Sequence, residues 1–398
     1  MEDPSKSPLP IGDIKEALQN NNAAAAAAMI QEYLDKQDNI PLNIGITGES
    51  GSGKSTFVNA IRGIDNSHET AAPTGCVETT TEITPYQHPT HPNVIVWDLP
   101  GIGTMNFPAD KYLQVVGFEK YDFFIIISAD RFRENDVKLA WEIQKMGKKF
   151  YFVRSKIDHS VHDEERSQKK FNEKVTLDLI RQNCVQGLQK QSFESPQVFL
   201  VTSFELHKYD FHKLEETLER ELPAHKKNSF LMAMPNISRG IIDKKKEALQ
   251  SKIKYLASVS AFIACAPVPG PSIAADLTML VTKARKYQIT FGLDNKSLQS
   301  LADSAGVSLT DLRSVMKSPL SATEITKDLI IKILCFSLCA AALIAAEEGS
   351  RFIPIFGIPA AMTLSFMSTY KALSSFLNML ADDAQSVFTR ALGLDTSV

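Results

Sequence analysis

A strong charge of one sign, paired cysteines and a long unbroken apolar run are all missing from this 398-residue sequence, and each absence narrows the field. The formal net charge is only -3, so no bulk field draws the chain to polyanions and nucleic acid is not implied as a partner. Cys76, Cys184, Cys265, Cys335 and Cys339 are scattered, with no CxxC pair and no histidines at zinc-like spacing. They suit buried or unpaired thiols in a reducing cytosol. The opening residues MEDPSKSPLP lack the basic start and apolar stretch of a signal peptide, and Glu2 stands where N-myristoylation needs glycine. Three apolar stretches fall short of the ~20 unbroken residues that a bilayer core requires. Pro267, Pro269, Gly270 and Pro271 interrupt residues 255–275, the run 333–346 is too short, and Pro354, Gly357 and Pro359 interrupt residues 352–370. These read as a buried helical bundle rather than as membrane spans.

What is present is ordinary globular material, 44% hydrophobic and 22% charged, in a chain too long for one core. Residues 11 to 37 carry apolar positions at Ile14, Leu18, Ile30 and Leu34 around an alanine run, which reads as one or two amphipathic helices. From Pro41 the pattern changes to short apolar runs alternating with helical stretches. The runs are LNIGIT (42–47), NVIVWD (93–98), FFIIIS (123–128), FYFVRS (150–155) and QVFLVTS (197–203). Near-continuous apolar strands separated by helices predict an α/β fold with a mostly parallel sheet covered on both faces. Beyond Pro223 the strand signals stop and the pattern is helical. The expected division is therefore a helical segment over 1–38, an α/β domain over 39–223 and a helical region over 224–398. Between Lys226 and Lys254 eight Lys/Arg face two acids, which suits a solvated helix face or a surface for anionic head groups.

Four strand ends carry chemistry. GESGSGKST places Gly48, Glu49, Ser50, Gly51, Ser52, Gly53, Lys54, Ser55 and Thr56 between a strand and a helix. Its glycines let the backbone curl around a phosphate chain at a positive helix end. In such a P-loop, Lys54 supplies a point charge for the β- and γ-phosphates and Ser55 offers its hydroxyl to Mg2+. WDLPG follows, with Asp98 as a second Mg2+ residue and the Gly101 N–H in reach of a γ-phosphate. SKID (155–158) matches the guanine-reading pattern [NT]KxD except for Ser155. Asp158 can accept from both donors on the guanine edge, which adenine lacks, and Lys156 would lay its stem along the base. Thr202 and Ser203 end the last strand, where small polar residues support the base. All four motifs sit at carboxyl ends of strands, where open α/β sheets bind ligands. The polar segment GCVETTTEITPY (75–86) occupies the position of a switch, and one of its threonines would meet Mg2+; Thr80 is the choice, with Thr79 and Thr81 as rivals. Ile102 stands where Ras-like enzymes carry the glutamine that orients the attacking water, so a free monomer is expected to turn over slowly.

Taken in order, GESGSGKSTFVNAIRG, TGCVETTTEITPYQHPTHPNVIVWDLPGIGT, SKID and VFLVTSFELHKYDF resemble the interferon-inducible, immunity-related GTPase (IRG) family, and Lys54 makes the chain similar to its GKS type. The resemblance implies a Ras-like G domain with an all-α domain formed by N- and C-terminal segments. It also implies hydrolysis of GTP to GDP accelerated by GTP-dependent dimerisation or oligomerisation with itself or with related members. Glu78 falls at a switch glutamate implicated in activation across that dimer. Cytoplasmic residence, reversible contact with anionic intracellular membranes and a part in cell-autonomous innate immunity are implied in the same way. Two departures stand out: Ser155 replaces the usual threonine, which is expected to loosen the base-side loop, and Glu2 removes a lipid anchor used by some members. The alternatives are a regulatory GTP/GDP-binding module with negligible turnover and a peripheral membrane-remodelling protein.

Overall fold

A computed structural model describes residues 9–75, 80, 82–101, 112, 116–129, 134–264, 272–322, 324–341 and 360–393. The chain divides into two units, Pro41–Ile237 on the one hand and Met1–Ile40 with Ser238–Val398 on the other.

The central unit is built on a six-stranded sheet in the order β2-β3-β1-β4-β5-β6. Its strands are β1 (Leu42–Gly48), β2 (Thr84–Gln87), β3 (Val94–Asp98), β4 (Phe123–Ser128), β5 (Lys149–Arg154) and β6 (Val198–Leu200). Every neighbouring pair is parallel except β2 with β3. The apolar runs are continuous because both faces of the sheet are covered. Phe123, Ile125 and Ile127 of β4 enter one core with Leu42, Ile44 and Ile46 of β1, whereas Phe124 and Ile126 enter the other. On the first face lie α3 (Lys54–Ile61), α7 (Phe211–Glu221) and α8 (Ala224–Ala233), contributing Phe57, Phe211, Leu214, Leu218 and Phe230. On the second lie α4 (Glu134–Lys145) and α6 (Glu173–Gln189), contributing Val137, Ala140, Ile143 and Leu188. Each such side chain taken from water is worth about 1.5–3 kcal/mol before the entropy of ordering it is subtracted.

The strand missing from the sequence reading is β2. It is four residues long, contains Pro85 and alternates half-buried with exposed positions, the character of an edge strand, which needs neither length nor an apolar run. The unit also extends past residue 223, because α8 packs on β1 and β3 and its buried Phe230 and Ala233 belong to this core. Chain order turns back at β1: β3 lies on one side of it and β4 on the other. The carboxyl end of β1 is therefore the topological switch point, where open α/β sheets leave a crevice.

The second unit is helical. It contains α1 (Ile11–Gln19), α2 (Ala23–Asp38), α9 (Arg239–Ala264), α10 (Ser272–Thr290), α11 (Asn295–Ala305), α12 (Leu309–Ser314), α13 (Pro319–Ala322), α14 (Lys327–Ala341) and α15 (Ala360–Ala391). The first two helices separate at Asn20–Asn22: Asn21 takes a left-handed conformation, and the Asn22 side chain accepts from Ala25 N at 3.1 Å as an N-cap. The alanine run is helical and partly core, with Ala26, Ala27, Ile30 and Leu34 buried. The long α9 packs along α2 and α15. Leu249, Ile253 and Leu256 of α9 and Leu373, Leu377 and Leu380 of α15 are all buried, at the 3–4 residue spacing of helix faces. Among the described residues, no helix is long and apolar enough to cross a membrane. Residues 265–271 and 342–359, which include most of the Pro and Gly interruptions noted above, lie outside the described residues.

Candidate nucleotide site

Strand β1 ends at Gly48, whose φ of +139° and missing side chain are both required: a Cβ there would lie 2.1 Å from the Ile127 carbonyl oxygen of β4. The loop 49–53 then curls back through Gly51 and Gly53, with Gly53 at φ 89° as the N-cap of α3. Lys54 and Ser55 form the first turn of that helix and are buried, with Thr56 half-buried after them. Backbone N–H groups at a helix start lack intrahelical partners and face the same way, which makes the turn an anion seat. The Lys54 ammonium donates to the Glu49 carbonyl at 2.9 Å, closing its side chain over the loop. The Glu49 carboxylate accepts from Asn135 Nδ2 on α4 at 3.1 Å.

One strand away, Asp98 ends β3 opposite Ile46 and is 1% exposed. Its Oδ2 accepts from Ser55 Oγ at 2.6 Å and from Thr80 Oγ1 at 3.0 Å, and those two hydroxyls are 3.1 Å apart. Burial pushes the Asp98 carboxyl upward, against the opposing effects of the Ser55 hydrogen bond, the Lys54 charge and the Thr80 hydrogen bond. Its Oδ1 is buried without a hydrogen-bond partner among the described residues, as is Ser52 Oγ. Two hydroxyls and a carboxylate form a hard, all-oxygen donor set of the kind that Mg2+ takes together with phosphate oxygens. The residues fit the ion, and of the rival threonines Thr80 is the one among the described residues; Thr79, Thr81, Glu78 and Ile102 lie outside them.

Past Asp98 the chain turns through Pro100 to Gly101, which runs against the phosphate loop: a Cβ on Gly101 would lie 2.8 Å from Ser50 N and 3.1 Å from Ser50 Cα. Only glycine permits this approach of two backbones.

The base side is formed at the ends of β5 and β6. Lys156 is left-handed, φ 54°, and serves as the N-cap of α5 (Ile157–Ser167), which sets Asp158 in the first turn. The Lys156 ammonium reaches across to the Gly51 carbonyl at 2.9 Å. Ser155 Oγ donates to the Ser52 carbonyl at 2.7 Å. This hydroxyl, which a threonine would also carry, fastens the loop after β5 to the loop 49–53. The Ile157 N–H donates to Val201 O at 3.4 Å, bringing the end of β6 alongside. There Thr202 is fully buried, with Oγ1 lacking a partner among the described residues, and Ser203 is half-buried.

The structure brings the sequence-derived residues together in three sets: 48–56 with Gly101, the oxygens of Ser55, Thr80 and Asp98, and Lys156, Asp158, Thr202 and Ser203 at the ends of β5 and β6. Ser155 and Lys156 bridge the first and third. Asn135 escaped the sequence reading because nothing in its helix marks it.

Comparison with known proteins gives the family. The interferon-inducible GTPase (IIGP) family matches residues 7–391. Interferon-inducible GTPase 5 of Bos taurus is 41% identical over 95% of this chain and 81% of its own length. Interferon-gamma-inducible GTPase 10 of Mus musculus is 37% identical over 98% and 90%. The solved structure of Era in complex with MgGDPNP and nucleotides 1506-1542 of 16S ribosomal RNA matches at 17% identity and a TM-score of 0.33, covering 55% of this chain and 68% of that one, a likeness that decides nothing. The glycine-curled loop, the buried lysine and the near full-length matches lead to one assignment: this chain belongs to the interferon-inducible GTPase family, as a GTP-binding P-loop GTPase.

Proposed function

We propose that this chain hydrolyses GTP to GDP and phosphate in a Mg2+-dependent reaction that speeds up when copies associate through the nucleotide face. The observation that carries the reading is the meeting of Ser55, Thr80 and Asp98 oxygens within 2.6 to 3.1 Å beside the buried Lys54.

In this reading the backbone N–H groups at the start of α3 hold the phosphate chain and Lys54 neutralises charge on the β- and γ-phosphates. Ser55, Thr80 and Asp98 would hold Mg2+, which when bound offsets charge on the phosphate oxygens and orients them for in-line attack. The Gly101 N–H donates to a γ-phosphate oxygen. Water attacks the γ-phosphorus, the bond to the β-phosphate bridging oxygen breaks so that GDP leaves with that electron pair, and the water's proton passes to the released phosphate or to solvent. Asp158 accepts from guanine N1–H and the exocyclic amine, Lys156 covers the base, and Thr202 and Ser203 support it from the end of β6.

Ile102 cannot polarise water, which supports a slow monomer completed by a second copy, and Glu78 is the residue proposed to act across that interface. Reversible contact with anionic intracellular membranes and a role in innate immunity rest on the family resemblance rather than on the basic stretch 226–254, where Lys245 is buried and Lys226 and Lys252 are taken up in ion pairs with Asp122 and Asp38. Phosphate release measured over an about hundredfold range of protein concentration tests the self-activation, since mass action makes turnover per molecule rise with concentration. A flat specific activity removes it. Flat and negligible release together favour the reading that Ile102 also supports, a GTP/GDP-binding module that acts through partners.

A further inference from the structure

Tyr112 is fully buried and belongs to none of the motifs. Its hydroxyl donates to the Pro100 carbonyl oxygen at 2.7 Å and lies 2.8 Å from Thr47 Oγ1 on β1. A phenol has one proton to give. With that proton committed to Pro100, Thr47 is the donor of the other bond, and the chain of hydrogen bonds runs Thr47 O–H to Tyr112 O–H to the Pro100 carbonyl. Such a chain polarises along its length in a dry interior and strengthens each link. Burial pushes the phenol pKa upward, with the Thr47 hydrogen bond only partly opposing it, so the hydroxyl stays a donor throughout the physiological range.

What Tyr112 grips is decided by covalent geometry. The Pro100 carbonyl and the Gly101 N–H are opposite ends of one planar peptide unit, so fixing the direction of the oxygen fixes the direction of the hydrogen. The same unit is confined on its other side, because Gly101 leaves no room for even a Cβ against the Ser50 backbone. The peptide is therefore held at its oxygen by Tyr112 and at its Cα by the phosphate loop.

We propose that Tyr112 is a positioning residue that aims the Gly101 N–H at the γ-phosphate and so lets the site tell GTP from GDP. The inference rests on reading the site as a guanine-nucleotide site, and its consequence is selective. GDP has no γ-phosphate, so loosening this peptide weakens triphosphate binding and turnover while leaving diphosphate binding in place. A tyrosine that merely fills space would act through its ring, and its hydroxyl would not distinguish the two nucleotides.

Tyr112→Phe separates the two roles, because it keeps the ring and removes the proton. Calorimetric titration of the full chain with GDP and with the non-hydrolysable analogue GMPPNP, both in excess Mg2+, gives the affinities, and phosphate release gives kcat and KM. The expected result is GDP affinity within about twofold of the unaltered chain, with GMPPNP affinity and kcat each lower by roughly tenfold, the scale of one lost hydrogen bond. Equal losses for GDP and GMPPNP, or no loss for either, would overturn the proposal. Should Tyr112→Phe fail to fold, Thr47→Val decides. It keeps the shape, leaves the Tyr112 bond to Pro100 in place and removes its upstream donor, so a smaller loss confined to GMPPNP supports the proposal and a loss shared with GDP overturns it. Failure of the unaltered chain to bind either nucleotide overturns the nucleotide-site reading, and this inference falls with it.

Discussion

Gly48 is the residue on which the phosphate loop turns. Its φ of +139° belongs to a region that L side chains rarely adopt, and a Cβ would press to 2.1 Å on a carbonyl oxygen of the paired strand β4. That oxygen is backbone, so relief requires moving a strand. Gly48→Ala is expected to cost at least about 1–3 kcal/mol from the conformation alone, seen as a clear fall in melting temperature, together with loss of GDP binding. An unchanged melting curve with unchanged affinity would show that the loop is not built as described. At this scale the sequence was most informative. A phosphate chain, a hard cation and a guanine edge each demand particular atoms at strand ends, so Lys54, Ser55, Asp98 and Asp158 could be named from spacing. Tyr112 and Asn135 could not, because their partners, the Pro100 carbonyl and Thr47 hydroxyl for the one and the Glu49 carboxylate for the other, lie apart from them in sequence, a relation that no local pattern encodes. Ser155 stood out as a departure from threonine, and the hydroxyl common to both residues is the part that binds the Ser52 carbonyl.

Among the elements, the buried parallel strands were legible because coverage on both faces forces continuous apolar runs. The edge strand β2 was not, since a short half-exposed strand is held by its partner β3 rather than by its own composition. The helical unit has an electrostatic joint of the same unannounced kind. Asp38, at the end of α2, binds Lys252 of α9 at 2.5 Å and Lys286 of α10 at 2.6 Å, with Lys283 also near and its own pKa lowered, mainly by burial. Burial alone would push the Asp38 carboxyl up, but Lys252 and then Lys286 outweigh it and bring it from 3.8 down to about 2. The folded chain therefore binds this proton less readily than the unfolded one. The stabilisation is complete above about pH 5 and is lost as pH falls toward about 2, with a size on the order of 2 kcal/mol. Asp38→Asn is expected to melt earlier at pH 7, with the gap to the unaltered chain narrowing as pH drops through that window. A gap that stays constant down to about pH 2.5 would contradict the assignment.

The whole molecule interleaves its two units along the chain: residues up to Ile40 fold with those from Ser238 onward, and the sheet unit lies between them in sequence. A helical unit formed from both termini came from the family resemblance, because helical periodicity says that segments are amphipathic but not which of them share a core. With a net charge of only -3, the specificity of the molecule must reside in local geometry rather than in its overall field. That geometry makes one central claim, that a curled backbone followed by Lys54 holds a polyphosphate while Asp158 selects the base. The direct measurement is calorimetric titration of the purified chain with GDP and, separately, ADP in excess Mg2+. The account predicts saturable GDP binding tighter than ADP by at least roughly a hundredfold, because a site built to accept from two donors is left with an unpaired carboxylate when the base lacks them. Equal affinities, or a preference for the adenine nucleotide, would contradict it.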